Sequence, residues 1–125
     1  MNAQKLHQSV TIYVPAQLAG NEEVGALTRK LTEITGGCTL ERANGVWIDD
    51  KGETHMDDIL KMTWWHTDSD KMQVYMASSE IVLSLLKHGE KAVFAERMDD
   101  KGSRLAAIHS AEAGELEHAP EEADA

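Results

Sequence analysis

Lys61, Thr63 and Trp65 stand at alternate positions, so in a strand they share one face, with the ammonium and the indole about 13 Å apart by strand rise. Tyr13 can join them from an earlier strand, and Arg42, Trp47 and Arg97 lie within reach by strand geometry. Aromatic rings with a few cations are what a small anionic or nucleotide-like ligand requires: stacking for the ring and charge-assisted hydrogen bonds for a phosphate or carboxylate. An exposed sheet face of this composition also suits self-association, because aromatics left in water forgo apolar contact. Tyr13, Arg42, Trp47, Lys61, Thr63, Trp65 and Arg97 are therefore the candidate ligand-binding residues, at or beside an interface between copies of the chain.

Other reactive side chains read more simply. His55, Asp57 and Asp58 form one cluster and His66, Asp68 and Asp70 another, but neither supplies the paired spacing of a recognised metal site, so no metal is expected. Asp49-Asp50-Lys51-Gly52 lacks the spaced acidic ligands and terminal Glu of an EF-hand and reads as a turn. Cys38 has no identifiable base beside it and reads as a core residue. Ser78-Ser79-Glu80 lies within a helical pattern, without the sharp turn of a nucleophile elbow. No catalytic residue and no cofactor motif stands out.

The elements that must position these residues follow from periodicity. Val10, Ile12 and Val14 alternate with Ser9, Thr11 and Tyr13 in a first strand that Pro15 ends. Ala16 to Gly20 reads as a loop. Asn21 then caps a helix over 22–35, with Glu22 and Glu23 in its first turn, Val24, Leu27, Leu31 and Ile34 on its apolar face, and Gly36 as its stop. A hairpin turning at Asp49–Gly52 follows. In its return strand, about 53–66, Leu60, Met62, Trp64 and His66 oppose Ile59, Lys61, Thr63 and Trp65. A bulge at Asn44-Gly45 would decide which face Trp47 joins.

One of Asp68, Ser69 and Asp70 caps a second helix, whose apolar stripe is read as Met72, Tyr75, Met76, Ser79, Val82, Leu83 and Leu86, ending at His88-Gly89. Met62, Met72 and Met76 are thereby assigned to the core. Strands at about 91–98 and 103–108 flank Asp99-Asp100-Lys101-Gly102, a repeat of the first turn. The order is that of a ferredoxin-like α+β fold: an antiparallel sheet with two helices on one face, here with an extra C-terminal hairpin strand.

The run TIYVP, the helix, GGCTLERANGVWIDDKGE, a long strand and a helix ending before KAVF resemble a family of small uncharacterised bacterial and phage proteins. Their shared feature is a Gly-Gly-x-Thr turn leading to Gly-x-Trp and an Asp-x-Gly hairpin, and the similarity spans about residues 9–98. Trp64-Trp65 and the acidic C-terminus depart from that pattern. The resemblance implies a phage-associated protein of this fold, without an assigned reaction or site residues.

Composition bounds the rest. The chain has 125 residues and formal charge −10, and six of its 22 acidic residues fall after Ser110 with no Lys or Arg among them. Such a surface does not attract nucleic acid or anionic lipid, and no apolar run reaches the length of a membrane span. The expectation is one α+β domain over 9–109, between a flexible segment 1–8 and a disordered acidic tail 110–125, in the cytoplasm or, if phage-encoded, the host cytoplasm. The function expected is a non-enzymatic, homo-oligomeric protein that captures a small anionic or nucleotide-like ligand. A pure protein–protein interaction module and an enzyme like the dimeric ferredoxin-like monooxygenases are the alternatives.

Overall fold

The computed structural model describes residues 6–110; most of the expected flexible N-terminus and of the acidic tail lies outside them. Strand β1 (Gln8–Pro15) leads into a one-turn helix α1 (Ala16–Ala19) and then α2 (Glu22–Thr35). The β2 (Thr39–Ile48) and β3 (Thr54–His66) hairpin, α3 (Lys71–Lys87), β4 (Ala92–Met98) and β5 (Arg104–Ser110) follow. The five strands form one antiparallel sheet in the order β2-β3-β1-β4-β5, the ferredoxin-like arrangement with an added edge strand. No helix among the described residues is long and apolar enough to cross a membrane.

Local signals set most boundaries. Asn21 accepts a hydrogen bond from the Val24 amide at 3.1 Å and starts α2, and Gly36 closes it in the left-handed region at φ 89°. Ala16 to Ala19, read from sequence as a loop, winds into α1 because Pro15 sets the entry and Leu18 and Ala19 pack against the core. The two four-residue turns of identical sequence close in the same way. The Asp49 carboxylate accepts from the Lys51 and Glu53 amides, and that of Asp99 from the Lys101 and Ser103 amides, all at 2.9 Å.

One face of the sheet is sealed by the helices. Val10, Ile12, Val14, Met62, Trp64 and Val93 meet Val24 and Leu31 of α2 and Val74, Ala77, Ile81, Val82, Leu85 and Leu86 of α3. Trp64 is fully buried, and its indole N–H donates to Thr32 Oγ1 at 2.9 Å, so its one polar atom is satisfied. Trp65 points the other way and stays 39% exposed, as strand alternation requires.

The apolar stripe expected for α3 is displaced. Val74, Ala77, Ile81 and Leu85 form the packed row, while Met72 and Met76 are 69% and 64% exposed, correcting their assignment to the core. The helix is apolar on more than one side, so periodicity alone does not choose the buried row. Contacts with α2 choose it. Glu23 accepts from Ser84 at 2.5 Å, Lys87 at 3.1 Å and His88 at 2.9 Å, and Lys30 reaches Glu80 at 3.3 Å.

Two measurements test this layer. Trp64→Ala should cost about 3–5 kcal/mol in urea unfolding, as large core truncations do, and Trp65→Ala far less. The three donors around Glu23, Ser84 first, depress its carboxyl from the ordinary 4.5 to about 2. The stability it adds is therefore present above the ordinary value and lost as pH falls from 4.5 toward 2. Glu23→Gln should flatten the unfolding profile across that window, and an unchanged profile would show that the three contacts add no net stability.

Candidate functional site

Among the described residues, the sheet's second face carries no helix. Ser9, Thr11 and Tyr13 of β1 lie between Lys61, Thr63 and Trp65 of β3 on one side and Phe94, Glu96 and Met98 of β4 on the other; Thr39 and Glu41 of β2 and Arg104 of β5 extend the surface. A recess of about 630 Å³, open to solvent, is sunk into it. Its floor is hydroxyl-rich, with Thr11 and Thr63 Oγ1 atoms 3.0 Å apart, and its charged lining includes Glu41, Lys61, Glu96 and Arg104.

Beside the recess a tyrosine is tied to a carboxylate. The Tyr13 hydroxyl donates to Glu96 Oε1 at 2.6 Å, its ring lies 4.9 Å from that of Phe94, and the Lys61 ammonium sits 5.8 Å from the ring centroid. Burial, then the hydrogen bond to Glu96 and the nearby charges of Glu96 and Glu41, push the phenol up to about 12. At neutral pH it is therefore a fixed donor, and Glu96 is held by it as an oriented acceptor.

Of the candidate residues read from sequence, Tyr13, Lys61, Thr63 and Trp65 come together on this face. Arg42 does not join them. It pairs with Leu60, which places it on the helix side of the sheet, in a hollow with Ala16, Asn44 and Asp58. Arg97 also lines the open-face recess, between Glu96 and Met98, while its pairing with Val10 and Leu105 turns its side chain to the helix side, where the guanidinium stacks 4.5 Å from the Tyr75 ring centroid.

Trp47 has the open-face parity, and the β2–β3 ladder runs without a bulge. It lies far along the hairpin, stacked on His55 at 4.2 Å and donating to Asp57 at 2.8 Å. At Gly45 a Cβ would meet Ile59 Cδ1 at 2.5 Å, so a larger residue there would require the Ile59 side chain to turn aside.

Sequence reasoning missed Glu41, Glu96, Phe94 and Arg104. The alternation of Val93 and Ala95 was a usable signal for β4: with those two in the core, Glu96 and Phe94 must face outward and Arg97 inward.

The remaining polar groups are absorbed elsewhere. His55 donor or acceptor Nε2 lies 2.7 Å from Asp49, and Asp49, Glu53 and His55 converge within 4.8 Å at the hairpin tip. His66 is buried, its Nδ1 2.9 Å from the Thr67 carbonyl. Cys38 packs against the core, and burial pushes its thiol up, so it is a poor nucleophile.

A second, narrow recess lies on the helix side. There Tyr75, Ser78, Ser79, Val82 and Leu83 of α3 face Ala95, Arg97, Leu105, Ala107 and His109 across a mostly apolar groove.

Neither a family model nor a curated protein matches this chain. Among solved structures, the fold is shared with a phage SAM lyase in complex with S-methyl-5'-thioadenosine, at TM-score 0.60 and 12% identity, over 90% of this chain and 97% of that one. A phage SAM lyase in the apo state matches at TM-score 0.57 and 13% identity, over 90% and 96%. The expectation of a non-enzymatic binding protein is corrected by these neighbours, in which this fold is an enzyme's and the bound molecule a nucleoside.

The Tyr13–Glu96 pair can be tested directly. In a Tyr75→Phe background, the ultraviolet absorbance of tyrosinate should report Tyr13 ionising near 12. Glu96→Gln should bring that midpoint down toward the ordinary 10, and an unmoved midpoint would mean that burial alone sets it.

Proposed function

We propose that this chain is a homo-oligomeric enzyme that cleaves a sulfonium nucleoside of the S-adenosylmethionine type, with the open-face recess as its substrate site. The observation that carries the reading is the Tyr13–Glu96 pair beside a recess that also presents Lys61, Arg104 and Glu41. Such a substrate has a cationic sulfur, a zwitterionic amino-acid end and a flat ring. Carboxylates face the sulfonium and the ammonium, Lys61 and Arg104 take the carboxylate, and Trp65 offers a stacking surface for the ring.

Release of methylthioadenosine breaks the bond from sulfur to the aminobutyrate chain, and the bonding electron pair goes to sulfur, which becomes a neutral thioether. The carbon left behind is completed without water in one of two ways. Glu96 accepts a proton from the adjacent carbon and an alkene forms, or the substrate's own carboxylate closes a ring while Glu96 holds the ammonium. Tyr13 positions Glu96 in both. The exposed Trp65 and Phe94 on this face, together with Ile108, supply the apolar surface for self-association, and a second copy there would exclude water from the recess. The phage association implied by the sequence resemblance is part of the same proposal.

The test is incubation with S-adenosylmethionine and chromatography for methylthioadenosine, with the second product identified as an unsaturated acid or a lactone. Glu96→Gln should lower kcat by about 10²–10⁴ if Glu96 is the base, and Tyr13→Phe by less. Absence of both turnover and a thermal shift with either nucleoside would refute the reading.

A further inference from the structure

We infer that the outer half of the β2–β3 hairpin of one copy seats in the groove beside β5 of a second copy. The hairpin is longer than the sheet body. Its last residue paired to β1 is Ile59, so the rungs from Asn44–Asp58 to Ile48–Thr54 form a two-stranded arm with no third strand beside them among the described residues. On its helix-side face, Val46, Ile48 and Met56 are 62%, 68% and 69% exposed, and Val46 sits directly opposite Met56. An isolated two-stranded ribbon is marginal in water, and a continuous apolar row on one is a contact surface in want of a partner.

The groove is a second apolar surface that no other described residue covers. It is lined by Val82, Leu83, Leu105 and Ala107, and exposed Met72 and Met76 extend the apolar surface along α3. The charges agree. The arm's tip carries Asp49, Asp50 and Glu53 against Lys51 alone, while the groove lining holds Arg97 and His109 with Glu96, and Lys71 stands beside it over the Tyr75 ring that Arg97 also stacks on.

The arm cannot reach its own groove. β2 and β5 are the two opposite edges of the sheet, about 19 Å apart at the usual strand spacing, and the arm points away along its strands. The contact is therefore between copies and heterologous, one patch meeting a different one, which closes a ring when the rotation permits. It is independent of the enzymatic reading and of the open sheet face.

The experiment uses the full chain with Cys38→Ser, carrying Ile48→Cys and Ser79→Cys. Mild oxidation should yield intermolecular disulfides on the order of tenfold faster than a control pairing Ile48→Cys with Arg29→Cys on the far side of α2, because docking raises the effective concentration of the two thiols. In parallel, Ile48→Asp should lower the sedimenting mass while the far-ultraviolet circular dichroism stays native. Thr63→Glu, on the open face, should leave the disulfide rate of the Ile48/Ser79 pair unchanged. A monomeric parent protein, equal cross-linking rates in the two pairs, or an unaltered mass for Ile48→Asp would each overturn the inference.

Discussion

Strand β1 is hydrogen-bonded along both edges, to β3 and to β4, and everything else in the molecule is arranged around that double pairing. A central strand cannot shift register without breaking two ladders at once, and a one-residue slip would exchange its two faces. Val10, Ile12 and Val14 therefore commit one side to the helices, and Ser9, Thr11 and Tyr13 are committed to the other by the same backbone. Core and candidate site are two sides of one strand. A packed core therefore backs the recess, in whose lining the Thr11 and Thr63 hydroxyls bond to each other.

Two helices cover less than five strands. α2 and α3 pack over the middle of the sheet, and the outer half of the β2–β3 hairpin and the inner face of β5 remain beyond them. Further helices in the same layer would be needed to cover these surfaces. Here the surplus apolar side chains on α3, the arm and β5 stay at the periphery, which explains why a 17-residue helix so rich in apolar residues leaves two methionines in water.

Electrostatics divides along the same plane. Glu23, with its donors from α3, ties the helix layer together at its rim, and Glu96 with Tyr13 lies on the opposite face. The first carboxylate is already matched by three donors and has little left to offer a ligand. The second accepts from the Tyr13 phenol and lines the recess, where its remaining lone pairs are available.

From the sequence alone, the order of the strands and of the two long helices, the Asn21 and Gly36 helix ends, both Asp-x-x-Gly turns and the opposite burial of Trp64 and Trp65 were legible, because each depends on near neighbours in the chain, whereas the single turn of α1 read as a loop. The same local signals grouped Lys61, Thr63 and Trp65, which share one strand. The buried row of α3 was not legible, since several apolar rows compete within one helix and the partner surface selects among them. Nor were the faces of Arg42 and Arg97, or the pairing of Tyr13 with Glu96 across 83 positions of chain. Strand alternation states that neighbours oppose each other, but only cross-strand register says which side is which, and register is a property of two strands that no single stretch of sequence contains.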